Sequence, residues 1–258
     1  MIAVVDYQKG NLKSVERGLI AAGGEALITA DASEIAKADA IVLPGVGAFA
    51  DAAATMCELG QMEAIRDRVR AGVPFLGICL GEHLMFEHGV EGAPEGSPAC
   101  GLGLLPGTVV AMPRCDAQGK AFKVPHVGWN TIEIPACGGS AAVPPCGEGG
   151  GGAARSSAAK RGLFEHGAFP GSAPQAGSEL AFACPLFDGI APGEYFYFTH
   201  SYIAPTGSHT IAETTHSTRF TSAVQFGERA FGVQFHPEKS SDAGARVLAN
   251  FVAIAARG

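Results

Sequence analysis

The chain has 258 residues, of which 47% are hydrophobic and only 17% charged. At roughly 100–200 residues per domain this is one large domain or two small ones, long enough to bury about 70–75% of its unfolded surface without disulfide or metal staples. The net charge of -7 argues against a general binder of nucleic acid or anionic membrane, and no apolar run approaches the ~18–20 residues of a bilayer span.

Residues 1–6 carry no basic leader and enter a strand-like run at once, so no signal peptide is expected. Ile2–Val5 reads as a buried strand and 6–11 as a polar loop, after which Leu12, Val15, Leu19 and Ile20 fall at helical spacing. Residues 40–43 read as a second strand, stopped by Pro44-Gly45-Val46-Gly47, with a helical stretch running on to Arg70 and a third strand over 73–78. Continuous apolar strands separated by helix-length segments imply a parallel sheet covered on both faces, with ligands beyond the carboxyl ends of the strands. The loops to search are therefore 6–11, 44–48 and 78–81.

After about residue 103 the pattern turns to strands without long helices, over 104–111, 131–134, 195–198, 210–212, 223–226 and 231–235, before a closing helix over 241–254. The fold class expected is α/β: a parallel or mixed central sheet with helices on both faces and antiparallel strands at one edge. Residues 136–179 break the pattern, since 30 of these 44 are Gly, Ala, Ser or Pro and few are large and apolar. Such a segment does not repay its ordering entropy. We expect one domain over 1–258 carrying a low-complexity, flexible insertion at 136–179.

The seven cysteines are odd in number and contain no Cys-x-x-Cys pair. A reducing, cytoplasmic compartment is expected, with no structural zinc, other metal or cofactor.

Gly77-Ile78-Cys79-Leu80-Gly81 follows an apolar strand and precedes a run read as helical through His83, Leu84, Phe86 and Glu87. It has the small-x-nucleophile-x-small form of a strand-turn-helix elbow, with Cys as the nucleophile. A helix N-terminus behind the thiol would favour thiolate. Alone, the five residues equally suit a buried structural cysteine. A thiolate attacking a carbonyl needs an oriented base, and His236-Pro237-Glu238 places His and carboxylate at i and i+2 of an extended chain. By itself that motif also suits a His capping the last helix. Oxyanion donors are expected from the Leu80 N–H and from Gly45, Val46 and Gly47, a segment that alone is an ordinary strand-to-helix turn.

Together these features resemble the class I, triad-type glutamine amidotransferases, and within them the glutaminase subunits of imidazole glycerol phosphate synthase. Asp6-Tyr7-Gln8-Lys9-Gly10-Asn11-Leu12, Pro125-His126-Val127-Gly128-Trp129-Asn130, Tyr195-Phe196-Tyr197-Phe198-Thr199-His200-Ser201-Tyr202 and Gly232-Val233-Gln234-Phe235-His236-Pro237-Glu238-Lys239-Ser240 carry the likeness beyond the elbow. It covers the chain except 89–101 and 136–179. The resemblance implies that Cys79 attacks the side-chain amide of glutamine, with His236 shuttling the proton and Glu238 orienting it. It also implies a heterodimer with a (β/α)8-barrel cyclase subunit that uses the ammonia, with Asn11, Trp129, Tyr197 and Lys239 at the interface. Ser201 and Tyr202 would line the glutamine pocket, although Trp129 and Tyr197 also suit a core. Two other readings are a glutaminase of another amidotransferase, such as that of anthranilate synthase, and a catalytically impaired partner-binding scaffold.

One position departs from the family. Where its elbow helix carries a substrate-contacting Gln, this chain has His83, preceded by Glu82. Imidazole does not copy an amide that both donates and accepts. Weaker glutamine binding, or a different pose for His83, is expected.

Overall fold

The computed structural model describes residues 1–135 and 182–257. The insertion expected at 136–179 lies outside them. The elements begin with β1 (Ile2–Val5), α1 (Leu12–Ala21), β2 (Ala26–Thr29), α2 (Ala32–Ile35), β3 (Ala40–Gly45), α3 (Phe49–Glu58), α4 (Gln61–Arg70), β4 (Phe75–Cys79) and the single-turn α5 (Leu80–His83). After these come β5 (Phe86–Gly89), β6 (Ala99–Cys100), β7 (Leu105–Ala111), β8 (His126–Thr131), β9 (Tyr195–His200) and β10 (Tyr202–Ile203). The chain closes with β11 (Thr210–Thr215), β12 (Arg219–Phe226), β13 (Ala230–Val233) and α6 (Ser241–Ala255).

Side chains of a strand alternate between faces, so a strand buried at every position must be covered on both sides. β1, β3, β4 and β13 are buried throughout. They form the middle of a seven-stranded sheet of order β11-β12-β13-β4-β3-β1-β2. The strands from β13 to β2 run parallel, and β12 and β11 add antiparallel pairings at one end. Alternation divides the core in two. Ile2, Val4, Val42 and Ile78 pack with Val15 and Leu19 of α1 and with Leu248 and Phe251 of α6. Ala3, Val5, Ile41 and Leu43 pack with Phe49 and Met56 of α3 and Ile65 of α4. Full burial of each such aliphatic or aromatic side chain stabilises the fold by about 1.5–3 kcal/mol.

The structure agrees with the expected α/β class and differs in detail. β2 was not expected, because Ala-Leu-Ile-Thr at a sheet edge is short and only partly buried. The helical stretch ending at Arg70 is two helices, separated where Gly60 adopts φ 69°. The helix expected after Cys79 stops after one turn, and Phe86 instead pairs with Leu105 in β7. The strand expected over 131–134 is displaced to β8, where Gly128 at φ 139° interrupts the apolar pattern. The antiparallel strands do not all extend the main sheet: β10-β7-β5-β6 form a second sheet and β8-β9 a two-stranded ribbon.

Candidate active site

β4 lies between β3 and β13, and its last residue, Cys79, pairs with Gly45 of β3. Cys79 sits at φ 54°, ψ -107°, a backbone conformation that costs a non-glycine residue about 1–3 kcal/mol. Gly81 after the turn and Gly45 across from it on β3 permit the close approach. A Cβ on Gly45 would stand 2.6 Å from Cβ of Leu80, and one on Gly81 would collide with the carbonyl of Leu43. The thiol is buried. Because α5 is a single turn, neighbouring side chains and not a long helix dipole set the thiol's surroundings.

Parallel pairing of β13 with β4 carries the following residues, Gln234 to His236, to the same sheet edge. His236 is extended, but residues 237–239 form a 3-10 turn, so the proline starts a turn where an extended segment was expected. This still brings the two side chains together. His236 Nδ1–H donates to Glu238 Oε1 at 2.9 Å, with both side chains almost fully buried. That bond leaves Nε2 as the reactive nitrogen. Nε2 is buried without a nitrogen or oxygen partner among the described residues, and of the neighbouring groups the Cys79 thiol acts on the ring most strongly. Burial alone would lower the His236 pKa; Cys79 and Glu238 outweigh it and hold it at about 9.

Cys79 and His236 open into a cavity of about 420 Å³ whose walls include Val46, Gly47, Leu80, His83, Ser201 and Tyr202. A slightly larger groove of about 470 Å³ between α1 and α6 reaches Glu238 from behind but contains neither Cys79 nor His236, so it is not where their chemistry meets. Not every expected contact points into the cavity. The Val46 N–H donates to the hydroxyl of Tyr7 at 3.1 Å. The His83 ring is turned so that Nε2 meets Gln234 Oε1 at 2.7 Å, and Gln234 Nε2 lies 3.7 Å from Cys79 Sγ. Burial holds His83 near pKa 4, hence neutral at pH 7.

Two features of this pocket escaped sequence reasoning. Glu91 lines the same cavity, placed there by the turn after β5. Burial raises its pKa, partly offset by the Phe49 backbone N–H. Its only sequence signal was a carboxylate a dozen residues beyond the elbow. The second is a chain of neutral histidines. His200 Nδ1–H donates to the Tyr202 carbonyl at 2.8 Å, so its Nε2 accepts from His126 Nδ1–H at 3.1 Å, and His126 Nε2 accepts from Asn130 Nδ2 at 3.3 Å. Among the described residues no cluster of three or more His, Cys, Asp or Glu is arranged to hold a metal ion.

A family model described as glutamine amidotransferase class-I matches residues 3–255. The chain belongs to this family. Among curated proteins, an "Imidazole glycerol phosphate synthase subunit HisH" of Moorella thermoacetica is 38% identical over 252 residues, covering 97% of this chain and 93% of its own. One of the same description from Rhodopirellula baltica is 37% identical, with 97% and 96% covered. Solved structures agree on the fold. A crystal structure of a glutamine amidotransferase superposes with TM-score 0.61 at 16% identity, covering 99% of this chain and all of that one. PurLQS from Thermotoga maritima gives 0.59 at 14% identity, covering 98% and 97%.

The amidotransferase domain also bears an exposed aromatic face. In the β8-β9 ribbon Trp129 pairs with Tyr197, Val127 with Thr199 and Thr131 with Tyr195. Alternation places these six on one side, while Phe196, Phe198 and His200 turn inward. Val127, Trp129 and Tyr195 are 54%, 43% and 57% exposed. Trp129 meets Tyr197 edge-on at 6.1 Å, and Lys239 Nζ stands 5.9 Å from the Tyr197 ring centre. Asn11 lies at the start of α1, without a side-chain cap bond. Residues 195–198 are four consecutive aromatics, and the alternation of Tyr with Phe among them carried the signal for Tyr195. The ribbon is tied to the buried histidine, since the His236 N–H donates to the Tyr197 carbonyl at 2.9 Å.

Proposed function

We propose that this chain is the glutaminase subunit of an imidazole glycerol phosphate synthase, and that Cys79, His236 and Glu238 are its catalytic triad. The convergence of the Cys79 thiol and the Glu238-bound His236 on one cavity carries the chemical part of this reading. Relatives of that description over 97% of the chain support the biological part.

The reactive form of the pair is a Cys79 thiolate beside a protonated His236, whose other ring nitrogen Glu238 holds. The thiolate attacks the side-chain carbonyl carbon of glutamine, and the carbonyl oxygen takes the negative charge. Leu80 N–H is one donor to that oxygen, and the Val46–Gly47 segment supplies the other when the Val46 N–H is released from Tyr7. His236 gives its proton to the nitrogen as the C–N bond breaks, and ammonia leaves. Water then attacks the thioester, neutral His236 accepts its proton, and glutamate departs as the thiolate re-forms. Glu238 keeps the ring oriented with Nε2 toward the reaction. Glu91 matches the ammonium group of glutamine in charge, and Ser201 and Tyr202 offer polar contacts to the rest of the substrate.

The ammonia goes to a (β/α)8-barrel cyclase subunit docked on the face of Val127, Trp129, Tyr195 and Tyr197, with Lys239 and Asn11 at its margin. There it is used to form imidazole glycerol phosphate and an aminoimidazole carboxamide ribotide. Glutamate release should be followed for the chain alone, and then with such a cyclase and its ribonucleotide substrate. A low rate alone with a large rise in the mixture is expected. Equal rates in both would overturn the assignment to this synthase, and Cys79→Ala retaining the activity would overturn the triad.

A further inference from the structure

The residue preceding Phe235-His236 is a fully buried amide with two distinct partners. Gln234 and His236 stand at i and i+2 of one extended run, so both turn toward Cys79 while Phe235 packs into the core. At one end of the Gln234 amide is Cys79 Sγ, 3.7 Å from Nε2; at the other is His83 Nε2, 2.7 Å from Oε1. An amide is two-faced: nitrogen donates and oxygen accepts only. Were it reversed, its oxygen lone pairs would face the sulfur and repel a thiolate. With Oε1 2.7 Å from His83 Nε2, the neutral ring carries its proton on Nε2 and donates to that oxygen, which leaves the amide N–H facing sulfur.

The geometry points to Gln234 as a positioning residue that donates a hydrogen bond to the Cys79 thiolate, and to His83 as the residue that fixes the direction of that donation. The inference rests on the reading of Cys79 as the nucleophile. It gives His83 a task distinct from touching substrate and accounts for a buried Gln that the triad does not use. The titratable groups around the sulfur are His236, which stabilises a thiolate, and Glu82 and Tyr7, whose ionisation the thiolate opposes. Against these, an N–H donor favours the charged sulfur.

The test is the rate of Cys79 alkylation by iodoacetamide as a function of pH in the full-length chain, each cysteine being followed separately by peptide mass spectrometry. The Cys79–His236 pair titrates together, so the midpoint belongs to the pair. Gln234→Met keeps length and removes the donor: the midpoint should rise by about one pH unit, slowing alkylation below it about tenfold. His83→Phe should move the midpoint the same way by less, and His83→Gln, whose amide N–H also reaches Gln234 Oε1, should restore it. Exposed Cys57 serves as the internal reference and should not change. A wild-type Cys79 no more reactive than Cys57 would overturn the nucleophile reading and this inference with it. A reactive Cys79 whose midpoint is unmoved in Gln234→Met overturns this inference alone. Should that variant fail to fold, an unmoved midpoint in His83→Phe overturns it equally.

Discussion

The backbone N–H of Val46 donates to the phenolic oxygen of Tyr7 across 3.1 Å, joining the loop after β3 to the loop after β1. Tyr7 is fully buried, and burial pushes its hydroxyl well above the ordinary phenol range, so it is a neutral acceptor at any working pH. The bond holds one expected oxyanion donor in a resting direction. Tyr7→Phe removes the acceptor at little change in volume. We expect glutamate release by the uncomplexed chain to rise about tenfold, a fraction of the roughly 10²–10³ that one oxyanion donor contributes. An unchanged basal rate in a folded Tyr7→Phe variant would sink the idea that this contact restrains the site.

Among the described residues Glu91 is the one carboxylate on the cavity wall. A charge-assisted bond to an ammonium group contributes more to binding than to chemistry when that group lies far from the scissile bond. Glu91→Gln should therefore raise KM for glutamine about 10–100-fold while kcat falls much less, consistent with the ~1.5–3 kcal/mol of a hydrogen bond to a charged group. Steady-state glutamate release in the cyclase complex checks this; a loss confined to kcat would remove Glu91 from the ammonium subsite.

Glu82 is completely buried beside the thiol, and neither carboxyl oxygen has a partner among the described residues. Burial, and then the Cys79 thiolate, raise its pKa well above 4.5, so the folded chain holds this proton to higher pH than the unfolded chain does. Below pH 4.5 both folded and unfolded forms are protonated and Glu82 costs no ionisation energy. Above it the unfolded chain ionises, and folding loses stability until the folded pKa is reached. Glu82→Met should thus stabilise the chain by about 1–3 kcal/mol at pH 7 and by less at pH 4. Urea unfolding at the two pH values measures the difference, and an equal gain at both would show that only packing had changed.

His83 and His126 are held near pKa 4, and His200 is also lowered, in each case first by burial. Their folded pKa lies below the unfolded 6.5, so the unfolded chain takes up protons first as pH falls. Stability is therefore lost between pH 6.5 and about 4, by up to ~1.4 kcal/mol per pH unit for each histidine. Removing one of them by His126→Asn should shallow that fall by about one proton's worth. His236 has the opposite sign: held at about 9, it adds stability below pH 6.5 that is lost as pH rises toward 9. Melting temperature across pH 4–9 tests both arms, and a His126→Asn profile parallel to wild type would contradict the first.

Local chemistry was enough to mark the elbow, the histidine with its carboxylate and the fully apolar strands, because each depends on residues adjacent in the chain. Gly77 to Gly81 follows an apolar strand with a small residue two positions to either side of Cys79, and Ile2–Val5 is apolar at every position of a strand. Short or half-exposed strands were not legible. β2 owes its existence to pairing with β1, and β8 to a partner in β9 some 65 residues on. Tertiary structure alone decided which way the groups at the site point. The sequence places His83 in the position of a substrate contact, yet pairing of β13 with β4 puts Gln234 within reach and turns the ring toward it. Nothing local to Val46 foretells Tyr7, nor to Glu91 the cavity that it lines. Hydrogen-bond direction and burial depend on groups brought together from distant parts of the chain, and those are properties of the packed sheet.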